Sequence, residues 1–167
     1  MAIIKPNNNT LSAITALPTG LGGKVLQVVT DEVSGQVSTT STSYTDITGL
    51  SVTITPSSTS SKIYVIANLC SCRTQQTDTS CNGFYNLVRG STELTASRLN
   101  YYENSGSNTR EIDGTITLTN LDEPNTTSAT TYKCQFKKHN SGTIYINQST
   151  DNTPVSSITV MEIAGWL

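Results

Sequence analysis

The sequence has few charged residues and only one histidine. Charged residues make up 13% of the 167 residues, and the net charge is −2. The densest positive cluster consists of Lys133, Lys137, Lys138 and His139, which is too small to indicate a nucleic-acid interface. We interpret this cluster as part of a solvated edge strand, because lysines on a sheet edge discourage unwanted strand pairing.

Sequence motifs of common enzymes are also absent. There is no G-x-S-x-G motif and no phosphate-binding glycine loop, and Ser/His or Cys/His catalysis would depend on His139 alone. The adjacent acids Asp122 and Glu123 precede Pro124 and predict a solvated turn rather than a catalytic pair across a cleft. No D-x-D-x-D-G run indicates calcium. The sequence therefore predicts a non-enzymatic protein with no metal ion and no cofactor.

Long apolar runs are missing as well. No stretch of 18 apolar residues occurs, and Met1–Ile4 is too short and wrongly placed before Lys5 and Pro6 to resemble an export signal. We therefore expect a chain that is soluble in the cytoplasm where it is made, with no membrane insertion.

Four cysteines occur, at positions 70, 72, 81 and 134, and their C-x-C-x8-C spacing matches no zinc pattern with two close pairs. Cys70 and Cys72 share one face of a predicted strand. Either would reach Cys81 only if the intervening loop turns back. Reduced thiols and at least one disulfide both remain open, and a cytoplasmic origin favours reduced thiols.

Serine and threonine are abundant, with 50 of 167 residues, and the 35% of hydrophobic residues are arranged in alternation. This pattern is typical of short strands with hydroxyl-rich outer faces and turns. The spacing predicts eight to ten strands in an antiparallel β-sandwich or barrel. The predicted strands span residues 24–29, 41–54, 62–70, 84–89, 92–97, 112–118, 132–136, 142–147 and 156–163. Residues 89–91 and 139–141 are predicted to turn hairpins, and residues 73–80 and 100–110 to form long loops.

The last predicted strand is unusual because both of its faces are apolar. Ile158 and Val160 lie on one face, and Met161 and Ile163 lie on the other. An antiparallel sheet with one solvated face would show polar residues on that side. We therefore predict that another sheet or another copy of the protein covers the second face, and that these four residues lie in the interface between copies.

The first 22 residues differ from the rest and are predicted to be a separate arm, with the domain itself spanning residues 23–167. The arm contains an asparagine run, two prolines and scattered apolar residues, and Thr10 is suited to cap one or two helical turns that end before Pro18. Such a segment does not fold alone. We expect it to dock on a larger assembly through five aliphatic side chains: Ile3, Ile4, Leu11, Ile14 and Leu17. The alternative is a frayed terminus.

The second predicted loop carries Tyr101, Tyr102 and Asn104. Tyrosine, asparagine, serine and glycine are the residues that adaptable recognition loops use. The loop is therefore either a receptor contact or a solvated connection with incidental tyrosines.

Five segments resemble the C-terminal knob domains of virion fibre proteins in tailed bacteriophages. They are GKVLQVV at 23–29, the stretch 38–65, LVRGST at 87–92, TSATTYKCQF at 127–136 and SSITVMEIAG at 156–165. The resemblance covers about residues 23–165. It implies an antiparallel jelly-roll β-sandwich that forms homotrimers similar to tumour necrosis factor, displayed on the virion surface. It also implies that the last strand lies beside the three-fold axis. In a capsid-bound trimer of this kind, we expect Trp166 and Leu167 either to close the base of the trimer or to contact the arm.

The chain departs from that pattern because only a short arm precedes the knob, whereas most such knobs end long fibres. This difference favours a capsid decoration or head-fibre protein, whose partner is the major capsid protein or another virion structural protein. The alternative is a receptor-binding tail-fibre tip that binds host surface glycans through Tyr101, Tyr102 and Asn104.

Overall fold

The computed structural model describes residues 24–76, 80–102, 110–139, 142–149 and 153–165. Within these ranges the chain is all-β, as predicted, and contains ten strands and no helix. The strands are β1 (Val25–Val33), β2 (Val37–Thr39), β3 (Thr45–Ile54), β4 (Lys62–Gln76), β5 (Ser80–Arg89), β6 (Thr92–Tyr102), β7 (Arg110–Asp122), β8 (Thr130–Lys138), β9 (Thr143–Ile146) and β10 (Ser156–Ile163).

The strands form two antiparallel sheets. The larger sheet has six strands in the order β1-β10-β4-β9-β2, with β7 paired to the other edge of β4. The smaller sheet has four strands in the order β3-β8-β5-β6. Side chains from both sheets share one hydrophobic core, an arrangement consistent with a β-sandwich.

Strand pairing follows a nested pattern. The hairpin β5–β6 closes at Gly90, whose positive φ of 57° suits a tight turn, and this confirms the hairpin predicted at residues 89–91. Around it, β4 pairs with β7, β3 with β8, β2 with β9 and β1 with β10. The chain therefore pairs like one long hairpin folded back at Gly90, with successive pairs divided between the two sheets.

Alternation of side chains explains why these segments form a common core. In β4 the inward positions Ile63, Val65, Ala67 and Leu69 are fully buried, and in β10 Ile158 and Val160 are fully buried. The facing residues come from the smaller sheet and include Leu50, Val52, Ile54, Tyr85, Leu87, Tyr132 and Phe136. Each fully buried aliphatic or aromatic side chain contributes about 1.5–3 kcal/mol relative to an exposed one.

Three local predictions were wrong. Residues 73–76 continue strand β4 and do not belong to the loop predicted at 73–80, and β6 likewise extends to Tyr102. The residues around His139 do not turn a hairpin, because β8 belongs to the smaller sheet and β9 to the larger one. Strand β8 is not an edge strand, since it lies between β3 and β5. Local alternation fixes which residues are extended but not which strands become neighbours.

A buried polar cluster joins the ends of β9 and β10 at the bulge in β4. Asn147 adopts a positive φ of 54°, and its amide Nδ2 donates to the carbonyls of Val33 and Gly35 at 2.7 and 3.2 Å. Its Oδ1 accepts a hydrogen bond of 2.7 Å from the hydroxyl of the fully buried Ser156. This cluster fixes the point where β10 replaces β9 along the edge of β4.

The buried thiols give a direct probe of the core. Cys72 and Cys134 are unbridged and buried, and burial raises the pKa of each thiol to about 12. The thiolate is the reactive species, so both should resist alkylation at pH 8 in the native protein and react on unfolding. Mass spectrometry after iodoacetamide labelling, with and without urea, checks this prediction. Rapid labelling of Cys134 in the native protein would contradict the described core.

Candidate functional site

The outer face of the larger sheet carries a row of four apolar side chains, one from each of four adjacent strands. Register places Val28 of β1 opposite Met161 of β10, Met161 opposite Tyr64 of β4, and Tyr64 opposite Leu121 of β7. We call these four residues the outer row. Directly opposed residues on one sheet face have Cβ atoms only about 5 Å apart, so the row is continuous across the sheet.

The outer row is open to solvent at both ends. Val28 is 55% exposed and Leu121 is 53% exposed, whereas Met161 and Tyr64 are half-buried by their neighbours. Ile163 and Ile66 lie beside it on the same face and are also half-buried, and Leu26 is 41% exposed. Large apolar side chains grouped in this way on a sheet face favour association with another apolar surface.

Polar residues surround this apolar region. On one side, the hydroxyls of Thr30 and Thr159 form a 3.0 Å hydrogen bond. On the other side, Lys62 Nζ lies 2.7 Å from Glu123 Oε1. An apolar centre with a polar rim is the usual anatomy of a specific protein interface.

The structure corrects the predicted interface residues. Met161 and Ile163 lie on the outer face, as the alternation predicted. Ile158 and Val160 are fully buried between the two sheets of the single chain and do not reach the surface. Assigning them to a contact between copies was wrong, because the second sheet of the same chain already covers that face. The pattern did show two apolar faces, but it did not show which of them the chain covers itself.

Glu162 anchors the last strand at the same end of the sheet. Its side chain is fully buried, and no cation pairs with it among the described residues. Oε1 accepts hydrogen bonds from the Ser57 amide at 2.7 Å and from the Ser57 and Ser61 hydroxyls at 2.6 Å each. Oε2 accepts a 2.6 Å hydrogen bond from Gln27 Nε2, which also donates to the carbonyl of Thr55 at 2.8 Å. The carboxylate therefore ties β1, β10 and the turn between β3 and β4 together.

Electrostatics at Glu162 follow from these contacts. Burial raises the pKa of the carboxyl, but the hydrogen bonds from Ser57, Ser61 and Gln27 outweigh burial and lower the pKa to about 2. Next to it, Gly165 packs against the turn so closely that a Cβ would overlap the carbonyl of Ser60. These contacts attach the end of β10, which carries Met161 and Ile163, to β1 and to the turn after β3.

A second buried carboxylate was wrongly predicted to lie in a solvated turn. Asp122 is only 7% exposed. Arg89 Nη1 donates hydrogen bonds to Asp122 Oδ1 at 2.9 Å and to Asp122 Oδ2 at 2.8 Å. The Tyr132 hydroxyl donates to Asp122 Oδ2 at 2.6 Å. Burial, together with this bond to the carboxylate, raises the pKa of Tyr132 well above its ordinary value. The group links β5, β7 and β8.

Several predicted site residues lie outside the described part of the chain. These are the arm residues Ile3, Ile4, Leu11, Ile14 and Leu17, the loop residue Asn104 and Trp166. Tyr101 and Tyr102 are the last two residues of strand β6, but the structure describes only their backbone. Sequence reasoning did not select Val28 and Leu121, because only the register with β10 and β4 shows that they line up with Met161 and Tyr64.

The described residues contain no group of three or more histidine, cysteine or acidic side chains arranged to hold a metal ion. In the same part of the chain, no helix has the length and apolar character needed to cross a bilayer. In comparison with known proteins, no family model matches the chain and no curated protein matches it.

Proposed function

We propose that the protein is a non-enzymatic structural protein of a bacteriophage virion, a homotrimeric jelly-roll knob that decorates the capsid as a head fibre. The single observation that carries self-association is the outer row of Val28, Met161, Tyr64 and Leu121. Assignment to a virion is supported by the resemblance of residues 23–165 to phage fibre knobs.

The nested strand pairing supports the jelly-roll topology. A jelly roll is a long antiparallel hairpin wrapped so that its strand pairs alternate between two packed sheets. Here β1·β10 and β4·β7 belong to the larger sheet, and β3·β8 and β5·β6 belong to the smaller one. The pairing β2·β9 adds to the larger sheet.

The outer row supports a trimer built through the larger sheet. Burying apolar surface stabilises association by about 25 cal/mol per Å² before the entropic costs of binding are subtracted. A closed cyclic assembly covers the same face of every subunit, so no apolar row remains exposed. In such a trimer the smaller sheet faces outward.

Particle composition tests the virion assignment. In purified particles of the virus that encodes the chain, a capsid protein should be present in many copies, whereas a tail-tip adhesin should be present in few. Quantitative gel analysis of the copy number therefore separates the two functions. Absence of the protein from particles would contradict both.

The docking role of the arm has its own test. A chain that lacks residues 2–20 should fold and trimerise but fail to enter particles, because the predicted contacts with the shell are gone. Incorporation at the full-length level would show that the knob itself binds the shell and would contradict the arm hypothesis.

A further inference from the structure

A second cross-strand row lies on the outer face of the smaller sheet. Register places Lys137 of β8 opposite Phe84 of β5, and Phe84 opposite Arg98 of β6. The aromatic ring therefore has a cation on each side in one continuous row. We call these three residues the cationic row.

Contacts around the ring order the row. Lys137 Nζ lies 4.3 Å from the ring centroid of Tyr44 and 5.6 Å from that of Phe84, both within cation–π range. The His139 ring lies 5.8 Å from the Phe84 ring at a tilt of 50°. Lys137 is thus held by two aromatic faces, and its charge has no carboxylate partner among the described residues.

Arg98 lies at the exposed end of the cationic row. It is exposed, and within the described residues it forms no ion pair. Together with Phe84, Ala96 and Ser97 it lines a shallow open depression. The small side chain of Ala96 leaves space beside the guanidinium.

Neither of the two neighbouring acids forms an ion pair with Lys137 or Arg98. Glu93 accepts a 2.9 Å hydrogen bond from Asn86, and Asp46 is held by Lys133 and Gln135 at 2.8 and 2.7 Å. The site therefore combines an aromatic surface, a fixed lysine and a free guanidinium.

We propose that the cationic row binds a carboxylated saccharide, with a sugar ring on Phe84 and its carboxylate on Arg98. The guanidinium fork matches a carboxylate in a bidentate manner, and an aromatic face packs against the C–H face of a sugar. A nucleic acid is disfavoured, because two or three cations on a chain of net charge −2 cannot replace the counterions of a phosphate backbone. The saccharide site is separate from the proposed contact between copies, because the cationic row and the outer row lie on different sheets.

Titration of the full chain with defined oligosaccharides tests the proposal. The probes are tetragalacturonate, its fully methyl-esterified form, 3′-sialyllactose and a ten-residue oligothymidylate, each followed by calorimetry and by chemical-shift changes. At least one of the two carboxylated sugars, tetragalacturonate or 3′-sialyllactose, should bind. If tetragalacturonate binds, its methyl ester should bind at least about tenfold more weakly.

Matched variants locate the site. Arg98→Gln should weaken binding at least about tenfold, because the bidentate contact is lost, and Lys137→Gln should weaken it less. Lys24→Gln removes the same charge from an exposed position outside the smaller sheet and should leave affinity unchanged. Circular dichroism shows that each variant is folded.

Three results would each overturn the proposal. The first is no binding of either carboxylated sugar at millimolar concentration. The second is equal loss of binding in Arg98→Gln and Lys24→Gln, which indicates non-specific charge attraction. The third is tighter binding of oligothymidylate than of either sugar, which indicates a nucleic-acid surface.

Discussion

Replacing Met161 by glutamate should convert the proposed trimer into folded monomers. Met161 lies at the centre of the outer row between Val28 and Tyr64, but it is only half-buried in the single chain. A carboxylate there is therefore solvated in the monomer and becomes unpaired and buried in the assembly. A buried unpaired charge at an interface costs about 2–5 kcal/mol, and each subunit contributes one. The dissociation constant should rise more than about 100-fold.

Light scattering during gel filtration measures the mass, and circular dichroism verifies the fold. The matched control is Ser51→Glu, which adds the same charge to an exposed position on the outer face of the smaller sheet. That variant should stay trimeric. If Met161→Glu also stays trimeric at micromolar concentration, the outer row is not the interface.

Val160→Asp is unsuited to this test. Val160 is fully buried in the core, so an aspartate there is expected to unfold the chain rather than to separate subunits. The variant would lose the trimer whether or not the outer row forms it.

Replacing Glu162 by glutamine should lower the free energy of unfolding by about 2–3 kcal/mol at pH 7. The glutamine keeps the shape but loses the charge that strengthens the three bonds from Ser57 and Ser61. If the oxygen of the new glutamine keeps the bonds from Ser57 and Ser61, its Nε2 faces Nε2 of Gln27, so that two donors oppose each other. The melting temperature of a chain of this length should fall by about 5–10 °C.

The stabilising effect of Glu162 should depend on pH in a defined direction. The folded-state pKa is about 2, against an ordinary value of 4.5 in the unfolded chain. Because the folded-state pKa is the lower of the two, the charged carboxylate stabilises the fold above about pH 4.5, and this stabilisation is lost as the pH falls toward 2. The difference in unfolding free energy between wild type and Glu162→Gln should therefore shrink across that interval.

Urea unfolding at pH 7, 4, 3 and 2 measures this difference. Glu123→Gln is the control, because Glu123 makes an exposed ion pair with Lys62 and its loss should change stability by less than about 1 kcal/mol. A Glu162→Gln penalty that is constant from pH 7 to pH 2 would show that the carboxylate is not charged in the folded protein.

The sequence predicted the parts of the fold that depend on local alternation. The all-β class, the hairpin at Gly90 and the last strand with Ile158 and Met161 on opposite faces all follow from a period of two residues. Alternation is set by the geometry of a single strand, so it needs no knowledge of distant partners.

The parts that were predicted wrongly depend on contacts distant in sequence. Strand β8 was expected at an edge, but its neighbours β3 and β5 come from much earlier in the chain. Asp122 looks like part of a polar turn until the fold places Arg89 and Tyr132 beside it. Likewise, the outer row exists only because register aligns single residues from four strands that are distant in sequence.

The mass of the wild-type protein in solution is the most direct test of assembly through the outer row. Sedimentation equilibrium of the full chain from about 1 to 100 μM should give three times the 17.9 kDa mass of the chain. A single-chain mass across this whole range, with a folded circular dichroism spectrum, would contradict assembly through the outer row.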